Sequence, residues 1–215
     1  MSEDIVVELK NVSKRFKDYQ VLEEVNLQCP AQTITGIMGR NGSGKSVLFK
    51  CICGFLKQDK GEIFLQGEKN TDYIKSVCKL GAIIEEPAFL KQYSGIKNLE
   101  LLYLIRNKAN REHLKNIMGK VGLDYKSSKG VSKYSMGMKQ RLAIAQAIME
   151  DQDILILDEP MNGLDSESVR KIKMLLAELR ESGKTIILAS HNKDDLDQIC
   201  NEIYVMEQGK LQPWA

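Results

Sequence analysis

Apolar residues recur along the chain with two different spacings, one typical of strands and one typical of helices. Apolar and polar residues alternate over 4–10 and 20–28, and we interpret these stretches as an antiparallel pair of half-buried strands. Other runs are continuously apolar or β-branched and are bounded by turn residues, as expected for buried strands. These further strands are predicted at 32–37, 61–67, 80–84, 153–158, 185–190, 202–206 and 209–211.

Helical spacing of apolar residues dominates the middle of the chain, from about residue 88 to residue 150. The mixture of strands and helices predicts an α/β fold in a single domain, residues 1–215. We expect 88–150 to be an inserted α-helical subdomain, and 1–87 with 151–215 to form the α/β core. The strand at 80–84 is expected to end at Pro87. Helices are predicted at 96–106, 111–121, 138–149 and 166–182, and one more begins near Val47.

A glycine-rich stretch lies between the strand at 32–37 and the helix that follows it. Residues 39–46 fit the pattern G-x-x-x-x-G-K-[ST] at every fixed position, in the strand–loop–helix context that the pattern requires. Its glycines let successive backbone N–H groups turn toward an anion, and the helix N-terminus adds partial positive charge. We therefore predict a phosphate-binding loop. The alternative, a turn that binds nothing, would leave a buried lysine without a counter-charge.

The residues of this loop have separate expected roles. Lys45 would reach the outer phosphates of a nucleotide, and the Ser46 hydroxyl would bind Mg²⁺. An aromatic ring in the basic loop 14–19 could stack on a purine; we assign this role to Phe16, with Tyr19 as its substitute, although Phe16 could instead be a core residue at a strand end. The predicted nucleotide-binding residues are Phe16, Gly39, Arg40, Asn41, Gly42, Ser43, Gly44, Lys45, Ser46 and Val47.

Two carboxylates, Asp158 and Glu159, leave the strand at 153–158 side by side, at the end where an open α/β sheet binds its ligands. A metal ion held by Ser46 would supply the counter-charge that they need. Asp158 is then expected to hold this metal, directly or through water, and Glu159 to orient and polarise an attacking water molecule. The alternative is a solvated acidic turn.

The chain has only two histidines. The strand at 185–190 ends at His191, which could donate a hydrogen bond to a γ-phosphate oxygen from that position. A lone histidine is otherwise usually a packed or surface residue. We therefore predict Glu159, His191 and Lys45 as the catalytic residues, and we expect His113, on the polar face of a predicted helix, at the surface.

Composition and charge exclude several classes of protein. The 215 residues are 43% hydrophobic, enough for a full core, and 31 basic against 29 acidic residues give no basic field for nucleic acid. No apolar run approaches the roughly 20 residues that cross a bilayer, and the acidic N-terminus does not resemble an export signal, so we expect a cytosolic chain. Five cysteines without a C-x-x-C pair are expected to be reduced: Cys29, Cys51, Cys53, Cys78 and Cys200.

One further stretch, residues 134–142 with the sequence Y-S-M-G-M-K-Q-R-L, resembles the L-S-G-G-Q signature of ABC transporter ATPases. We call it the signature stretch. The order of the other motifs is also similar to that family over nearly the whole chain: aromatic loop, Walker A loop, strand-end switch at Glu85, signature, Walker B strand with Glu159, and switch histidine. The resemblance implies a P-loop NTPase fold, with a RecA-like mixed sheet, an N-terminal antiparallel β subdomain and an inserted helical subdomain. It also implies ATP and Mg²⁺ as cofactors.

The signature stretch has a physical rationale of its own. Ser135 and the backbone of Gly137 begin a helix, and so offer a hydroxyl, an N–H group and a positive dipole end to an anion. In the family, two cassettes pack head to tail and each signature completes the ATP site of the other. The resemblance therefore implies that Ser135, Gly137 and Met138 contact the partner's ATP and that Asp165 lies in a loop crossing the interface. Ser135 could also be only a helix N-cap.

Two departures from the family pattern are visible. Met136 and Met138 stand where the family has glycine and glutamine. Glu85 stands where most members have a glutamine that touches magnesium, and its extra charge would favour the metal but repel phosphate. The expected metal ligands are thus Ser46, Asp158 and Glu85. This combination resembles the subgroup that exports bacitracin-type and lantibiotic peptides.

The resemblance implies that the chain drives a separate membrane permease, from a peripheral position on the cytoplasmic face of the membrane. We expect its partners to be this permease, contacted through residues 87–97, and a second ATPase subunit that is identical or related; we expect no nucleic acid. An alternative is a soluble ABC ATPase acting on ribosomes or DNA, but those usually have two cassettes or a coiled-coil insertion. A second alternative, a regulator that binds ATP without turnover, conflicts with Glu159 and His191.

Overall fold

The computed structural model describes residues 4–70, 80–85 and 88–214. Two expectations fall outside these residues: the reduced state of Cys78 and the end of the strand at Pro87. The described strands and helices are β1 (Ile5–Phe16), β2 (Tyr19–Pro30), β3 (Ile34–Met38), α1 (Lys45–Ile52), β4 (Lys60–Leu65), β5 (Glu68–Lys69), β6 (Leu80–Ile83), α2 (Gly95–Tyr103), α3 (Arg111–Lys120), a 3₁₀ helix (Val131–Lys133), α4 (Met136–Ile148), β7 (Ile154–Asp158), α5 (Ser166–Glu181), β8 (Thr185–Ser190), α6 (Lys193–Asp197), β9 (Glu202–Glu207) and β10 (Lys210–Pro213).

The first sheet is antiparallel, with strand order β2-β1-β4-β5. The predicted pairing of the first two strands is confirmed, but both are longer than expected. We expected a loop at 14–19; instead Phe16 pairs with Tyr19 and only two residues connect the strands. The carboxylate of Asp59 accepts hydrogen bonds from the backbone N–H of Arg15 (2.7 Å) and from the Lys14 ammonium (2.8 Å), and so holds the end of β1 in place. The extra length of β1 therefore depends on a residue in a distant part of the chain, Asp59.

The second sheet has the order β10-β9-β3-β8-β7-β6. Its inner strands are parallel and only β10 runs antiparallel, against β9. In the register, Met38 lies opposite Ser190 and Asp158 opposite Ala189. The carboxyl ends of β3, β7 and β8 therefore meet at one edge, where the predicted site residues follow each strand.

An apolar core covers each face of this second sheet. On one face α1 and the first sheet pack against residues such as Ile37 and Ile156, and on the other α2 to α5 pack against residues such as Ile34 and Leu157. Burial on both faces explains the continuously apolar runs of β3, β7 and β8.

Three of the helices lie between β6 and β7, and each begins at a polar side chain that accepts from its first turn: Ser94, Asn110 and Ser135. The last of the three, α4, also packs on the sheet, because a Cβ atom at Gly81 would lie 2.0 Å from the carbonyl oxygen of Ala147. The subdomain boundaries at 88 and 150 stay a prediction.

Two expectations about individual side chains can be compared with the structure. His113 is half-buried rather than at the surface, because its Nε2 lies 2.7 Å from the carbonyl oxygen of Met149 and its ring packs against Tyr103, joining α3 to the end of α4. The cysteines within the described residues are free thiols, as predicted: Cys29, Cys51, Cys53 and Cys200.

Across residues 4–70, 80–85 and 88–214, none of the helices has the length and apolar composition that a bilayer crossing needs. The short helix α6 was not predicted from the pattern. Its signal is Asn192, whose side chain accepts from the backbone N–H of Asp194 (3.0 Å) and starts the helix.

Candidate active site

A cavity of about 550 Å³ opens at the edge where β3 and β7 end. Its walls come from the glycine loop, the acidic end of β7, the first turns of α4 and the second residue after β6. The residues that line it are Val21, Arg40, Asn41, Gly42, Gly44, Lys45, Ser46, Val47, Glu85, Met136, Lys139, Gln140, Asp158, Glu159 and Asn162.

The glycine loop has a conformation that other residues would not adopt easily. Gly42 and Gly44 have φ angles of 81° and 113°, in the left-handed region. A Cβ atom at Gly39 would lie 2.6 Å from the Ser43 hydroxyl oxygen and 2.7 Å from the carbonyl oxygen of Met206. Gly44 is the N-cap of α1, and no side chain among the described residues caps this helix end. Its first N–H groups are therefore available to an anion.

Lys45 lies beneath this loop and is only 6% exposed. Its ammonium group donates to the carbonyl oxygens of Gly39 (2.6 Å) and Arg40 (3.2 Å) and lies 3.8 Å from Oε1 of Glu159. The buried charge thus has the counter-charge that a plain glycine turn would lack. It connects the glycine loop to the acidic end of β7.

Ser46 and Asp158 are brought together, with the hydroxyl donating to Oδ2 at 2.5 Å. A hydroxyl and a carboxylate are oxygen donors of the kind that Mg²⁺ prefers, and this ion usually takes its other ligands from substrate phosphates and water. Within the described residues there is no cluster of three His, Cys, Asp or Glu side chains that could hold a metal alone. The donor set therefore fits a magnesium ion that arrives with a phosphate ligand.

Glu159 and His191 are also brought together, with His191 Nδ1 2.9 Å from Oε2 of the carboxylate. The other carboxylate oxygen, Oε1, is buried and finds no hydrogen-bond partner within the part of the chain that the structure describes. Glu159 lines the cavity, so one oxygen is fixed by the histidine while the other keeps a free lone pair. This arrangement can hold and polarise a water molecule.

Glu85 also lines the cavity, and its carboxylate is paired with the ammonium of Lys50 at 2.5 Å. The backbone of Glu85 is left-handed, with φ 62°. Lys50 lies on α1, one helical turn after Ser46, and this spacing is the only sequence signal for the pair. The expected metal ligand thus has a cationic partner that sequence analysis missed.

Phe16 lies at the end of β1 and is 46% exposed, so it is not a core residue. The Lys14 ammonium lies 5.5 Å from the centroid of its ring. On this side the cavity is lined by Val21 of β2. Stacking of Phe16, or of Tyr19, on a purine stays a prediction.

The signature stretch forms the start of α4. Ser135 accepts a hydrogen bond from the backbone N–H of Met138 at 3.2 Å, so the expectation that it is an N-cap is confirmed. Gly137 packs closely on the loop before α5, because a Cβ atom there would lie 3.1 Å from the carbonyl oxygen of Gly163. The partner contacts expected of Ser135, Gly137 and Met138 stay predictions.

Asp165 caps α5. Its carboxylate accepts from the backbone N–H (2.8 Å) and the hydroxyl (2.9 Å) of Ser168, and these hydrogen bonds lower the pKa of Asp165. The carboxylate is therefore ionised at neutral pH and held at the start of the helix. Its expected role at an interface between two cassettes stays a prediction.

Gln140 was missed by the sequence analysis, although it belongs to the signature stretch. Its side-chain amide donates to the carbonyl oxygen of Glu159 at 3.0 Å. Its position, one turn into α4 on the side that faces β7, could have suggested such a contact only once the fold was known.

Comparison with known proteins supports the motif-based resemblance. The profile of the family described as "ABC transporter" matches residues 22–162. The chain is 38% identical to the uncharacterised ABC transporter ATP-binding protein YybJ of Bacillus subtilis, over 96% of this chain and 95% of YybJ. It is 37% identical to the bacitracin transport ATP-binding protein BcrA of Enterococcus faecalis, over 97% of this chain and 68% of BcrA. It is 29% identical to the lantibiotic transport ATP-binding protein SrtF of Streptococcus pyogenes, over 96% and 89%.

Solved structures agree with the fold. A dimeric structure of the ABC transporter cassette MJ0796 superposes with a TM-score of 0.89 at 25% identity, over 96% of both chains. A second structure of MJ0796, described as a post-hydrolysis state bound to ADP and Pi, also gives 0.89, at 26% identity. The predicted fold class and the resemblance to the bacitracin and lantibiotic subgroup are confirmed.

Proposed function

Because the chain belongs to the ABC transporter family, we propose that it is the ATP-hydrolysing subunit of a transporter and drives export of an antimicrobial peptide or a drug-like molecule through a separate permease. The observation that carries the proposal is that Glu159, at the cavity that the glycine loop borders, is in contact with both Lys45 and His191. Membership of the family makes the chain an ATPase.

The glycine loop provides the binding site for the triphosphate. The uncapped N–H groups at the start of α1 and the ammonium of Lys45 face the cavity from the same side. Lys45 donates to two carbonyl oxygens of the loop and can transfer these hydrogen bonds to phosphate oxygens with little movement. Charge-assisted hydrogen bonds of this kind are stronger than neutral ones.

Ser46 and Asp158 hold Mg²⁺. When bound, the ion neutralises the charge of the phosphates. Glu85 would be a third ligand, and for this it must leave Lys50, because the carboxylate pairs with that ammonium. Glu85 would therefore bind the metal only after its ion pair with Lys50 has separated.

Glu159 acts as the base toward water. Its Oε1 is the carboxylate oxygen that lacks a hydrogen-bond partner among the described residues, and it accepts the hydrogen bond of the attacking water. His191 holds the other oxygen at 2.9 Å and so fixes the orientation of the carboxylate. From its second ring nitrogen, the histidine would donate a hydrogen bond to the γ-phosphate.

Two cassettes bind ATP between them. Ser135, Gly137 and Met138 form a helix start at which Ser135 is exposed and the other two are half-buried, and a partner's ATP would complete it. Asp165 and Gly163 belong to the loop that packs on this helix start and would border the same interface. A dimeric structure exists for the similar cassette MJ0796.

A groove of about 300 Å³ offers a contact for the permease. It lies between β6 and the ends of α2 and α4, and its apolar rim includes Phe55 and Ile105, which is 74% exposed. We assign it to a cytoplasmic helix of the permease, because such a helix would cover the exposed apolar side chains of this rim. A permease is the expected partner because the relatives BcrA and SrtF are transport proteins by name. The contact expected at 87–97 lies only partly within the described residues. The names of these relatives do not favour action on ribosomes or DNA.

The function is tested with the Glu159→Gln variant. Loss of a positioned base is expected to lower ATP turnover by roughly 10²- to 10⁴-fold while leaving ATP bound. Phosphate release measures the turnover, and light scattering after gel filtration in saturating Mg-ATP measures assembly, with a stable dimer expected. Glu112→Gln, which changes an exposed carboxylate on α3, is the matched control and should behave as the wild type.

Either of two results would contradict the proposal: fast turnover by Glu159→Gln, or a strictly monomeric variant at saturating ATP. The permease is tested separately, by extraction of the tagged chain from membranes of its native cells. Identification of a co-purifying membrane protein supports the transporter assignment, and recovery of the chain only in the soluble fraction counts against it.

A further inference from the structure

The backbone of Glu159 has a conformation that a glutamate rarely adopts. Its φ angle is 50°, in the left-handed region, which costs a non-glycine residue about 1–2 kcal/mol. Such a conformation persists only where the surroundings fix it. The residue after β7 must therefore be held by specific contacts.

Three hydrogen bonds hold this backbone. The N–H of Glu159 donates to the carbonyl oxygen of Ala189 on β8 at 3.0 Å. The carbonyl oxygen of Glu159 accepts from the backbone N–H of Asn162 (3.1 Å) and from the side-chain amide of Gln140 (3.0 Å). Two of the three donors or acceptors are main-chain groups next to the site. The third group is a side chain, the amide of Gln140 on α4.

The placement of the Glu159 carboxylate depends on this backbone. One oxygen meets His191 at 2.9 Å, and the other lies 3.8 Å from Lys45 without a hydrogen bond. Among the described residues only His191 makes a hydrogen bond to this carboxylate, so a rotation of the main chain would move the other oxygen directly.

Gln140 also belongs to the helix that carries the signature stretch. It lies five residues after the N-cap Ser135, roughly 7.5 Å along the axis at 1.5 Å per residue. The neighbouring Arg141 fixes the other side of the helix, with Nη1 donating to the carbonyl oxygen of Gly122 at 2.8 Å. A rigid α4 therefore joins the exposed helix start to the carbonyl oxygen of Glu159.

We propose that Gln140 is a positioning residue that holds Glu159 through its main-chain carbonyl, and that it thereby links the position of the signature helix to the catalytic carboxylate of the same chain. The inference rests on the proposed role of Glu159 as the base. Its consequence is that ATP engaged by the α4 start at one site of a dimer affects water activation at the other site.

The test replaces Gln140 by methionine, which keeps the length of the side chain and removes the donor. In Gln140→Met the kcat for Mg-ATP is expected to fall about tenfold, the loss typical of one hydrogen bond, while KM stays within about twofold. Gln140→Lys restores a donor at similar reach and should recover most of the kcat. Gln66→Met is the matched control, because Gln66 donates to Asp153 before the opposite end of β7, at 3.3 Å.

A double variant separates positioning from a general structural role. In the Glu159→Gln background, Gln140→Met is expected to cause no further loss of the residual turnover, because its effect passes through the carboxylate. The same tenfold loss in that background would overturn the inference. So would a full kcat in Gln140→Met, or a Gln140→Lys variant as slow as Gln140→Met.

These outcomes are distinct from a failure of the proposed function. If Glu159→Gln keeps fast turnover, the role of the base is wrong. If Glu159→Gln is inactive and Gln140→Met is fully active, only the positioning role is wrong. Thermal unfolding of each variant is recorded in parallel, and Gln140→Lys serves as the reference if Gln140→Met is less stable.

Discussion

Two helix N-termini of this chain are candidates for binding phosphate, and they differ in how complete they are. The start of α1 is preceded by three glycines of the loop and has no side-chain cap among the described residues, and the buried Lys45 stands beside it. The start of α4 is capped by Ser135, and its first residue, Met136, is 59% exposed. The first end borders the cavity together with the predicted catalytic residues Lys45 and Glu159, whereas the start of α4 contributes Met136 and Lys139 to the wall of the same cavity and contains none of the predicted catalytic residues.

The difference shows what a phosphate site requires besides a helix dipole. At α1 the ammonium, the hydroxyl of Ser46 and the carboxylate of Asp158 together can balance a triphosphate and its metal. At α4 the first turn offers the cation Lys139, but no hydroxyl and carboxylate like those of Ser46 and Asp158 meet there within the described residues to hold a metal. The start of α1 therefore has the groups to bind ATP without a partner, and we propose that the start of α4 gains its ligand when a second cassette presents it.

The largest expected difference between α1 and α4 is in thiol reactivity. Burial raises the pKa of Cys51 to about 11 and of Cys53 to about 12, at the C-terminal end of α1 and not at its phosphate-binding start. An introduced Met136→Cys would be exposed at the start of α4, with a thiol pKa of about 8.5. At neutral pH its thiolate fraction is then higher by roughly 300- to 3,000-fold. Site-resolved mass spectrometry after brief alkylation measures both.

Formation of the ATP-bound dimer should change the labelling at only one of the two helices. In a Glu159→Gln background, saturating Mg-ATP should protect Met136→Cys and leave Cys51 and Cys53 as unreactive as before. Unchanged labelling of Met136→Cys in the assembled dimer would place the α4 start outside the interface.

The raised thiol pKa values also fix the pH dependence of stability. A buried thiol stays neutral in the folded chain, so the unfolded chain ionises first as the pH rises through the ordinary value of 9.0. The contribution is fully present below pH 9 and is lost progressively up to about pH 12. Urea unfolding at pH 8 and pH 10 should show the lower stability at pH 10, and Cys53→Ala should reduce that difference.

A smaller effect is expected at the cap of α4. Ser135→Ala removes a hydroxyl that would serve a partner's phosphate, so ATP-dependent dimerisation in the Glu159→Gln background should weaken by roughly five- to tenfold, as for one lost hydrogen bond. ATP binding by the monomer should not change. Sedimentation at graded protein concentration measures the first quantity, and fluorescence titration with a nucleotide analogue measures the second.

Ser94→Ala is the control for loss of a helix cap, because Ser94 caps α2 in the same way. Both variants should lose about 1 kcal/mol of stability. Equal dimerisation of the two would show that Ser135 only caps its helix. Weakened monomer binding in Ser135→Ala would instead assign the α4 start to its own chain's nucleotide.

Some features of the two helix starts could be predicted from the sequence, and others could not. The glycine loop, Asp158, Glu159 and His191 follow strands whose apolar runs are unmistakable, and parallel strands bring their carboxyl ends together. The N-cap at Ser135 is likewise a local signal. Each depends only on neighbours in the chain, so the pattern was sufficient.

The contacts that were missed depend on how distant elements pack. Gln140 reaches Glu159 only because α4 lies beside the end of β7, and β1 extends to Phe16 only because Asp59 holds its end. His113 is half-buried because α3 packs on the end of α4. No spacing in the sequence determines these distances.

The smallest expected effect concerns Glu85, which stands between the two helix ends at the cavity wall. Its partner Lys50 neutralises the charge that distinguishes it from glutamine, and the pair is partly exposed, with Glu85 at 62% and Lys50 at 34%, so it should add little stability. Lys50→Met should release the carboxylate toward the metal and lower the Mg²⁺ concentration for half-maximal turnover by a few-fold, since one unit charge at partly exposed sites is worth about 1 kcal/mol. Magnesium titration of the ATPase measures this shift.

Glu85→Gln should have the opposite effect, raising the half-maximal Mg²⁺ concentration while ATP binding stays nearly intact. The double variant Lys50→Met/Glu85→Gln should match Glu85→Gln alone, because Lys50 acts on the metal only through the carboxylate. If Lys50→Met instead shifts the magnesium dependence equally with glutamate and with glutamine at position 85, then Lys50 influences the phosphates directly from α1. The Glu85 carboxylate would then have no part in the effect of Lys50 at the ATP site beside α1.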